Sequence, residues 1–599
     1  MKKTLLLTLS FIIYHLAFSV SAAFAEDGSK LWLRYDTTLV KNLTLKIDAS
    51  MPDDDGYCIQ GDVVKARTQQ GLLYGKYAWL RGEQGESHPY FALRILNHWD
   101  NIDGSIERGY AGKSIFWNNQ LEINPKLITA YAEANASIGI NGAVLNNVNA
   151  SPKMLTRPYI NKVREIADLL RPWGIKVYIS VNFGSPKALG EVNTADPLNP
   201  QVRRWWQKKV KEIYAQIPDF GGFLVKANSE GQPGPFDYGR THADGANMLA
   251  EALKPFGGIV MWRSFVYGAK HKGEDRVMQA VSEFADLDGK FADNVILQSK
   301  NGPLDFQPRE PYAPIFDQMK QTSQMAELQI TQEYLGQGNH LVFLSPMWKE
   351  FFSFVSPAKL KGIAGVANIG LDKNWCSHHF AQANWYAFGR LAWNPALSSK
   401  QIAEEWLQQT FSSNAQSSAV HAQLLSMMLR SREACVDYMM PIGLHHIFKF
   451  DHHMGPEPDG FIARYPIEWC PVYYHKADKQ GVGFNRSTHD GTGATRQYRE
   501  PYASLYDNSS TCPEQYLLWF HHLPWTYRMN SGRTIFEEMQ YRYARGVKEV
   551  EDFIAIWQQA KPVVDDQRWQ EVNQKLQKQL ADAREWQEVC TRYFGSFTK

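Results

Sequence analysis

Between residue 91 and about residue 395, short apolar runs alternate with longer segments compatible with helices, and this alternation constrains the fold most. Each run is rich in Ile, Val and Phe, and a polar cluster follows it. The eight runs are residues 92–98, 139–145, 176–181, 221–225, 257–262, 294–297, 328–331 and 363–369. Eight strand–helix units in roughly 300 residues predict an α/β fold, a (β/α)8 TIM barrel.

An open, doubly wound sheet is the alternative arrangement of the same units. Such sheets bind dinucleotides with a Gly-rich fingerprint directly after a strand, and no predicted strand here is followed by one. The count of eight units also fits a closed barrel. The barrel is therefore favoured, with its catalytic residues expected at the carboxyl ends of the strands.

The chain outside the barrel predicts two further domains. Residues 26–90 indicate a small α/β domain, with strands predicted at 31–35 and 43–47 and a helix beginning near 71–75. Residues 396–599 predict a helical C-terminal domain, with helices at 401–411, 419–439, 533–559 and 567–594. The irregular tract 449–526 is rich in His, Trp and Tyr. Because long loops are usually functional, we expect part of it to reach the active site or an interface.

Residues 1–25 have the pattern of a secretory signal peptide. Two lysines precede an apolar core at residues 5–13, and residues 23–25 form the small-x-small pattern of a cleavage site. A membrane anchor is the alternative, but Tyr14 and His15 interrupt the apolar run. The sequence therefore predicts export to the periplasm or the medium, with the mature chain beginning at Glu26.

Charge and cysteine content exclude several function classes. The chain carries 64 basic and 62 acidic residues, a formal net charge of +2, which argues against a nucleic acid or a membrane surface as the main partner. Its six cysteines are scattered and show no metal-ligand spacing. We therefore expect no metal and no cofactor, and the sequence leaves any disulfide pairing open.

Three carboxylates follow three different predicted strands, and they indicate the reaction class. Glu230, Asp305 and Glu333 lie after the fourth, sixth and seventh runs. Hydrolysis of a glycosidic bond needs one protonated carboxyl and one ionised carboxylate. Each acid could instead be the ion-pair partner of a nearby cation. The acid that donates the proton is expected to have a raised pKa.

Three cations beside these acids indicate the substrate. Lys226, Arg263 and Lys300 lie at the ends of the fourth, fifth and sixth runs. A uronate carries a fixed carboxylate that such groups recognise, whereas a neutral sugar needs few buried cations. Arg263 is the preferred carboxylate ligand because its planar fork binds both oxygens at once. The alternative is that the three cations only neutralise the acids.

The longest motifs resemble those of one known family, the α-glucuronidases of glycoside hydrolase family 67. The motifs are GGFLVKANSEGQPGP at residues 221–235, KNGPLDFQPREP at 300–311 and ITQEYLG at 330–336, with shorter matches LWLRYD at 31–36 and LNHWDN at 96–101. The resemblance runs almost unbroken from residue 96 into the C-terminal region. One departure is that residues 26–90 are shorter than the family's usual N-terminal domain.

The resemblance implies an activity and a role for each candidate residue. The activity is inverting removal of α-1,2-linked glucuronic acid or its 4-O-methyl ether from xylooligosaccharides, without a metal. Glu230 is implied as general acid, and Asp305 with Glu333 as the carboxylates that activate water. The implied substrate contacts are Trp99, Val148, Lys226, Arg263, Lys300 and Trp469. Family members are commonly dimers, so a homodimer through the C-terminal helical region is expected.

Two other functions fit parts of this pattern. A noncatalytic glycan-binding barrel would keep Trp99 and the cations but has no use for three convergent carboxylates. A hexosaminidase-like retaining hydrolase uses the substrate's N-acetyl group as nucleophile and needs an adjacent Asp-Glu pair at a strand end. The fourth strand here is followed by Ser229-Glu230 instead, which counts against that reading.

Overall fold

The structure is a computed structural model that describes residues 26–35, 38–265, 273–411, 418–450 and 453–598. The predicted signal peptide, residues 1–25, lies outside the described residues. Within the described part of the chain, no helix is both long enough and apolar enough to cross a membrane.

The N-terminal domain is a small sheet covered by one helix. Its four strands are β1 Thr44–Ile47, β2 Tyr57–Gln60, β3 Val63–Ala66 and β4 Gly85–Ser87, in the order β1-β3-β2-β4. Helix α1, Gln69–Leu80, begins where the Thr68 hydroxyl accepts a hydrogen bond from the Gly71 N–H at 2.9 Å. The domain is joined to the barrel by Arg94, which is fully buried and donates to Asp55 at 3.2 Å.

The strand predicted at residues 31–35 was wrong. The segment forms a turn, in which Leu31 has a φ of 57°. Trp32 is fully buried, its indole N–H donates to Ser137 Oγ at 2.8 Å, and its ring packs edge-on against Trp385 at 5.2 Å. The apolar residues of this segment therefore anchor the chain to the barrel helices rather than pair with a sheet.

The predicted barrel is confirmed: eight parallel strands close on themselves. They are β5 Leu93–His98, β6 Gly142–Val144, β7 Lys176–Ser180, β8 Gly222–Val225, β9 Ile259–Arg263, β10 Val295–Lys300, β11 Gln324–Gln329 and β12 Leu360–Ala367. The barrel closes where β12 pairs with β5, with Ile363 opposite Arg94. Its lumen is packed by one cluster: Ile95, Val144, Val148, Tyr178, Leu224, Met261, Ile296, Met325 and Ala364.

The seventh strand begins earlier than its apolar run predicts. The run covers residues 328–331, whereas β11 begins at Gln324 and ends at Gln329. The four strand residues before the run include Gln324 and Glu327, both of which are buried. These polar residues hide the strand from a hydrophobicity pattern because their side chains find partners inside the protein instead of water.

Helices surround the barrel and form the C-terminal region. The helices between strands, and after the last strand, are α2 Pro125–Ser137, α3 Arg157–Leu170, α4 Ser185–Ala188, α5 Pro200–Gln216, α6 His242–Leu253, α7 Gln279–Phe284, α8 Ile315–Gln318, α9 Ser345–Phe354 and α10 Ala381–Trp393. The C-terminal helices are α11 Ser399–Thr410, α12 Ser418–Met439, α13 Val472–His475, α14 Tyr502–Asp507, α15 Leu517–Phe520, α16 Ile535–Ala560 and α17 Asp566–Gly595, with a short ribbon of β13 Gly481–Val482 and β14 Leu523–Pro524.

The C-terminal helices pack directly on the loops at the carboxyl end of the barrel. The loop after β10 is held where Arg309 pairs with Glu433 on α12 at 2.6 Å. The loop after β11 is held where the Leu341 N–H donates to Gln579 on α17 at 2.9 Å. This packing fixes the loops that carry two of the candidate acids. The six cysteines all lie in the described part of the chain, and all six are free thiols.

Candidate active site

A cavity of about 360 Å³ opens at the carboxyl ends of the barrel strands. The nine candidate residues from the sequence all line it: Trp99, Val148, Lys226, Glu230, Arg263, Lys300, Asp305, Glu333 and Trp469. The barrel brings them together because parallel strands place all of their carboxyl ends at one rim. The tract after residue 440 supplies the other wall.

Glu230 lies on an exposed turn after β8. Both Asn228 and Glu230 have left-handed backbone conformations, with φ of 50° and 48°; a non-Gly residue in this region costs energy that the surroundings must supply. Asn228 fixes the turn, since its Oδ1 accepts from the Phe236 N–H at 3.0 Å. The Glu230 side chain is 44% exposed and faces the cavity.

Lys226 is the direct partner of Glu230. It ends the β8 segment, is itself buried, and donates to both Glu230 Oε2 and Asn149 Oδ1, the latter at 2.9 Å. Partial desolvation raises the pKa of Glu230, but the Lys226 ammonium outweighs this and the net pKa lies below the ordinary value. The expectation of a raised pKa is therefore wrong, because the neighbouring lysine stabilises the ionised form.

Asp305 lies in the loop after β10 and is held by donors on both oxygens. Its Oδ1 accepts from Lys300 Nζ at 2.8 Å and from the Phe306 N–H at 3.0 Å, and its Oδ2 accepts from the Tyr334 hydroxyl at 2.5 Å. Burial raises the pKa of Asp305, but Lys300, His453 and the Tyr334 hydroxyl lower it far below the usual range. Asp305 is therefore an ionised carboxylate in a fixed orientation.

Glu310 shapes the loop that carries Asp305. This buried carboxyl accepts from the backbone N–H groups of Leu304 and Asp305, at 2.9 and 2.8 Å, and from the Gln307 side chain at 3.0 Å. Burial raises the pKa of Glu310 to about 8, against the opposite effect of these donors. Glu310 is part of the KNGPLDFQPREP motif, although its role could not be read from the motif alone.

Glu333 follows β11 and is the most buried of the three acids, with 2% of its side chain exposed. Its Oε1 accepts from Arg108 Nε at 2.8 Å and contacts His453 Nδ1 at 2.6 Å, while its Oε2 accepts from Gln329 Nε2 at 3.1 Å. Burial raises the pKa of Glu333, but His453 and Arg108 outweigh burial and the neighbouring Asp305 charge, so the net pKa is lowered. It too is an ionised carboxylate.

Arg263 does not present a free fork to the cavity. Its Nε and Nη2 donate to the two carboxylate oxygens of Glu327 at 2.8 and 2.5 Å, and both side chains are buried. Gln298 also donates to Glu327, at 2.5 Å. The expectation that Arg263 binds a substrate carboxylate with this fork is therefore wrong: Glu327, on the part of β11 that the sequence pattern missed, already occupies it.

The described lining of the cavity is nevertheless positive overall. Its cationic side chains are Arg108, Lys226, Arg263, Arg276, Lys300 and Lys449, and its carboxylates are Glu107, Glu230, Asp305 and Glu333. The three cations predicted from the sequence are each paired, with Glu230, Glu327 and Asp305. An anionic ligand would thus enter a site whose cations outnumber its carboxylates, by competing for them rather than by meeting a lone cation.

Aromatic side chains line the mouth of the cavity. Trp469 is 45% exposed and its ring centroid lies 5.9 Å from that of Tyr465, which in turn lies 5.7 Å from Phe450. Trp99 and Val148 are buried deeper, on the barrel side of the cavity. Sugar rings bind to such flat faces, so the mouth is suited to a chain of sugars and the floor to one terminal residue.

Sequence reasoning missed several residues of the site, and most come from outside the strand ends. His446, Phe448, Phe450, His453 and Tyr465 belong to the C-terminal region and line the cavity. Phe450, His453 and Tyr465 lie in the tract 449–526, part of which was expected to reach the active site or an interface, whereas no sequence signal marked His446 and Phe448. Among the described residues, no group of three or more His, Cys, Asp or Glu side chains could hold a metal ion.

Two family domains match the chain. The glycosyl hydrolase family 67 middle domain matches residues 77–359, and the family 67 C-terminus matches residues 376–599. The chain belongs to glycosyl hydrolase family 67. The family assignment made from the three motifs is thereby confirmed, and the two matched regions contain all nine candidate residues.

Relatives in this family support the assignment over most of the chain. An alpha-glucuronidase A of Emericella nidulans is 39% identical over 91% of this chain and 69% of its own length. An alpha-glucuronidase of Hypocrea jecorina is 38% identical over 94% of this chain and 69% of its own length. A family 138 enzyme targeting pectin rhamnogalacturonan II is similar in fold, with a TM-score of 0.50 at 12% identity over 92% of this chain and 66% of that one.

Proposed function

We propose that this family 67 chain is an inverting α-glucuronidase, which removes α-1,2-linked glucuronic acid or its 4-O-methyl ether from xylooligosaccharides. The observation that carries the proposal is the arrangement of three carboxylates around one cavity: Glu230 exposed on one wall, Asp305 and Glu333 buried and ionised on another. The names of the similar family 67 proteins support the same substrate.

The chemistry divides between the two walls. Glu230, once protonated, gives its proton to the glycosidic oxygen as the bond to the xylose breaks. Asp305 and Glu333 accept hydrogen bonds from a water molecule, and the water's proton passes to one of them as its oxygen bonds to the anomeric carbon. Because water attacks the face opposite the leaving group, the product has the inverted, β configuration. No covalent intermediate forms.

Specificity for a uronate follows from the positive lining. The substrate carboxylate competes for Lys226, Lys300 and the part of Arg263 not bound to Glu327, and it brings a charge that a neutral glucosyl group lacks. Trp99 and Val148 contact the uronic acid, and Trp469 stacks on the xylose chain. When the substrate carboxylate draws Lys226 away from Glu230, the pKa of Glu230 rises and the acid can hold its proton.

Two further features of the protein belong to the proposal. The segment of residues 1–25 is a signal peptide, so the enzyme acts in the periplasm or outside the cell. The active form is a homodimer through the C-terminal helical region. N-terminal sequencing of exported protein would test the first point, and sedimentation of the purified chain would test the second.

The deciding experiment follows the products of aldouronic acids by proton NMR, with and without a chelator. We expect release of uronic acid, with the β-anomer dominating before mutarotation and no effect of the chelator. If α-glucuronic acid accumulates first, the mechanism is retaining and the roles of Asp305 and Glu333 are wrong. If the oligosaccharide binds but no uronic acid is released, the chain is a glycan-binding protein.

A further inference from the structure

We propose that His453, from the C-terminal region, is a positioning residue that aims one oxygen of Glu333 at the attacking water. This inference rests on the proposed function, since it assigns a role within the same reaction. It concerns a residue that lies outside the barrel and outside the three strand-end motifs. The contacts of the two Glu333 oxygens carry it.

The two oxygens of Glu333 have different partners. Oε1 accepts a hydrogen bond from Arg108 Nε at 2.8 Å and lies 2.7 Å from Arg108 Nη2. It also contacts His453 Nδ1 at 2.6 Å. Oε2 accepts a hydrogen bond from Gln329 Nε2 at 3.1 Å. A carboxylate oxygen accepts about two hydrogen bonds, so Oε1 is fully occupied and Oε2 keeps room for a water molecule. Removing the His453 donor would leave Oε1 held from the Arg108 side alone and would loosen the orientation of Glu333.

The His453 ring is itself held in place and linked to the second base. It stacks on Tyr334, with centroids 4.7 Å apart and planes at 23°. The hydroxyl of Tyr334 donates to Asp305 Oδ2 at 2.5 Å. His453 therefore contacts Glu333 directly and is linked to Asp305 through the Tyr334 side chain. These contacts allow one residue to orient both bases.

The position of the ring also keeps it open to solvent. His453 lines the catalytic cavity and also a second cavity of about 350 Å³, which is bounded by Gly336, His340, Asp582 and Trp586 among others. Its side chain is 22% exposed.

The His453 nitrogen that contacts Glu333 is a hydrogen-bond donor. Because an ionised carboxylate can only accept, the His453 Nδ1 that contacts it carries the proton.

Two variants separate positioning from mere packing. His453→Asn keeps a donor near the Nδ1 position but cannot carry a charge, whereas His453→Leu removes the donor. We expect the Leu variant to lower kcat by about 10- to 100-fold, as for the loss of one hydrogen bond to a charged group, with KM nearly unchanged. The Asn variant should restore most of kcat, because it keeps the donor. His489→Asn, at a 93% exposed side chain, is the matched control.

The outcomes distinguish this inference from the proposed function. Wild-type kcat in His453→Leu, or equal losses in the Leu and Asn variants, would overturn the positioning role while the glucuronidase activity stands. A measurement that needs no activity is the NMR signal of the hydrogen-bonded His453 Nδ1 proton. It should lie far downfield in the wild type and be lost in Glu333→Gln; if both proteins give the same signal, the contact does not exist in solution.

Discussion

The wall that carries Glu230 and the wall that carries Asp305 and Glu333 are built in opposite ways. The Glu230 side chain is 44% exposed, whereas those of Asp305 and Glu333 are 11% and 2% exposed. Glu230 stands on a strained turn with Lys226 as its charged partner. The other two acids are surrounded by donors from the barrel and from the C-terminal region.

The difference matches what each wall must do. A base for water must be ionised and oriented when the water attacks, so fixed donors on both oxygens suit it. A proton donor must gain and lose a proton, so it needs contact with solvent and a partner that can be drawn away. The two walls therefore differ in how firmly the surrounding residues fix the charge of the carboxylates, and not in residue type.

The largest expected effect comes from the buried wall. Glu333→Ala and Asp305→Ala should each lower kcat by about 10³- to 10⁴-fold, at the upper end for loss of a general base. The loss should be the same for aldouronic acids and for an aryl glucuronide with an acidic phenol, because water attack becomes limiting for both. Steady-state kinetics on the two substrates measures this.

The isosteric variants Glu333→Gln and Asp305→Asn serve as controls for folding of the site, since they keep the shape and one acceptor oxygen. Their circular dichroism should match the wild type while activity is lost, and thermal unfolding should occur at a somewhat lower temperature because each variant removes the charge that pairs with Arg108 or Lys300. A variant that recovers activity with the acidic phenol would place that residue on the leaving-group side, and the two walls would then have to exchange roles.

The next effect depends on the substrate and belongs to the exposed wall. Glu230→Ala should lose about as much activity on aldouronic acids, roughly 10³-fold, but only about 10-fold on the aryl glucuronide. The reason is that a phenolate leaves without a proton and a xylose hydroxyl does not. Equal losses on both substrates would contradict the donor role and would make the two walls functionally alike.

The sequence predicts the barrel and the donor wall better than the rest of the site. The eight runs mark the strands because the outer face of each strand is apolar, and a strand end positions whatever follows it. The start of β11 was missed since Gln324 and Glu327 are buried polar residues. Because the pattern missed this part of β11, it also missed Glu327 as the partner of Arg263. The sequence therefore did not show that part of the Arg263 guanidinium is already bound.

Contacts between residues far apart in the sequence could not be predicted at all. His453 is separated from Glu333 by 120 residues and Arg108 by 225 residues. No local pattern links them. The His453 contact forms when the helical region docks on the barrel, and the Arg108 contact forms when the closed barrel brings the loops after β5 and β11 together. The lowered pKa of Glu230 has a different explanation: Lys226 is four residues away and was noted, but only the folded turn shows that the two groups touch.

The smallest expected effect is a shift in the pH dependence of activity. It tests whether Lys226 controls the protonation of Glu230 on the exposed wall. The Lys226 ammonium lowers the pKa of Glu230, and the donor works only when protonated. Activity in kcat/KM should therefore fall as the pH rises through the pKa of Glu230 in the free enzyme. In Lys226→Met the ion pair is gone, the pKa of Glu230 rises, and this falling limb should move to higher pH. The absolute rate drops because a substrate contact is also lost, so the limb is compared after normalisation to each profile's maximum.

Lys300→Met is the matched comparison, because Lys300 contributes less than Lys226 to lowering the pKa of Glu230 and pairs with Asp305 instead. Its falling limb should move less than that of Lys226→Met. If the limb stays in place in Lys226→Met, the protonation of Glu230 is set by the cavity as a whole, and the single-partner account of the exposed wall is wrong. A larger shift in Lys300→Met would mean that the two walls share one electrostatic unit, so that the charge on Asp305 is part of what controls the donor.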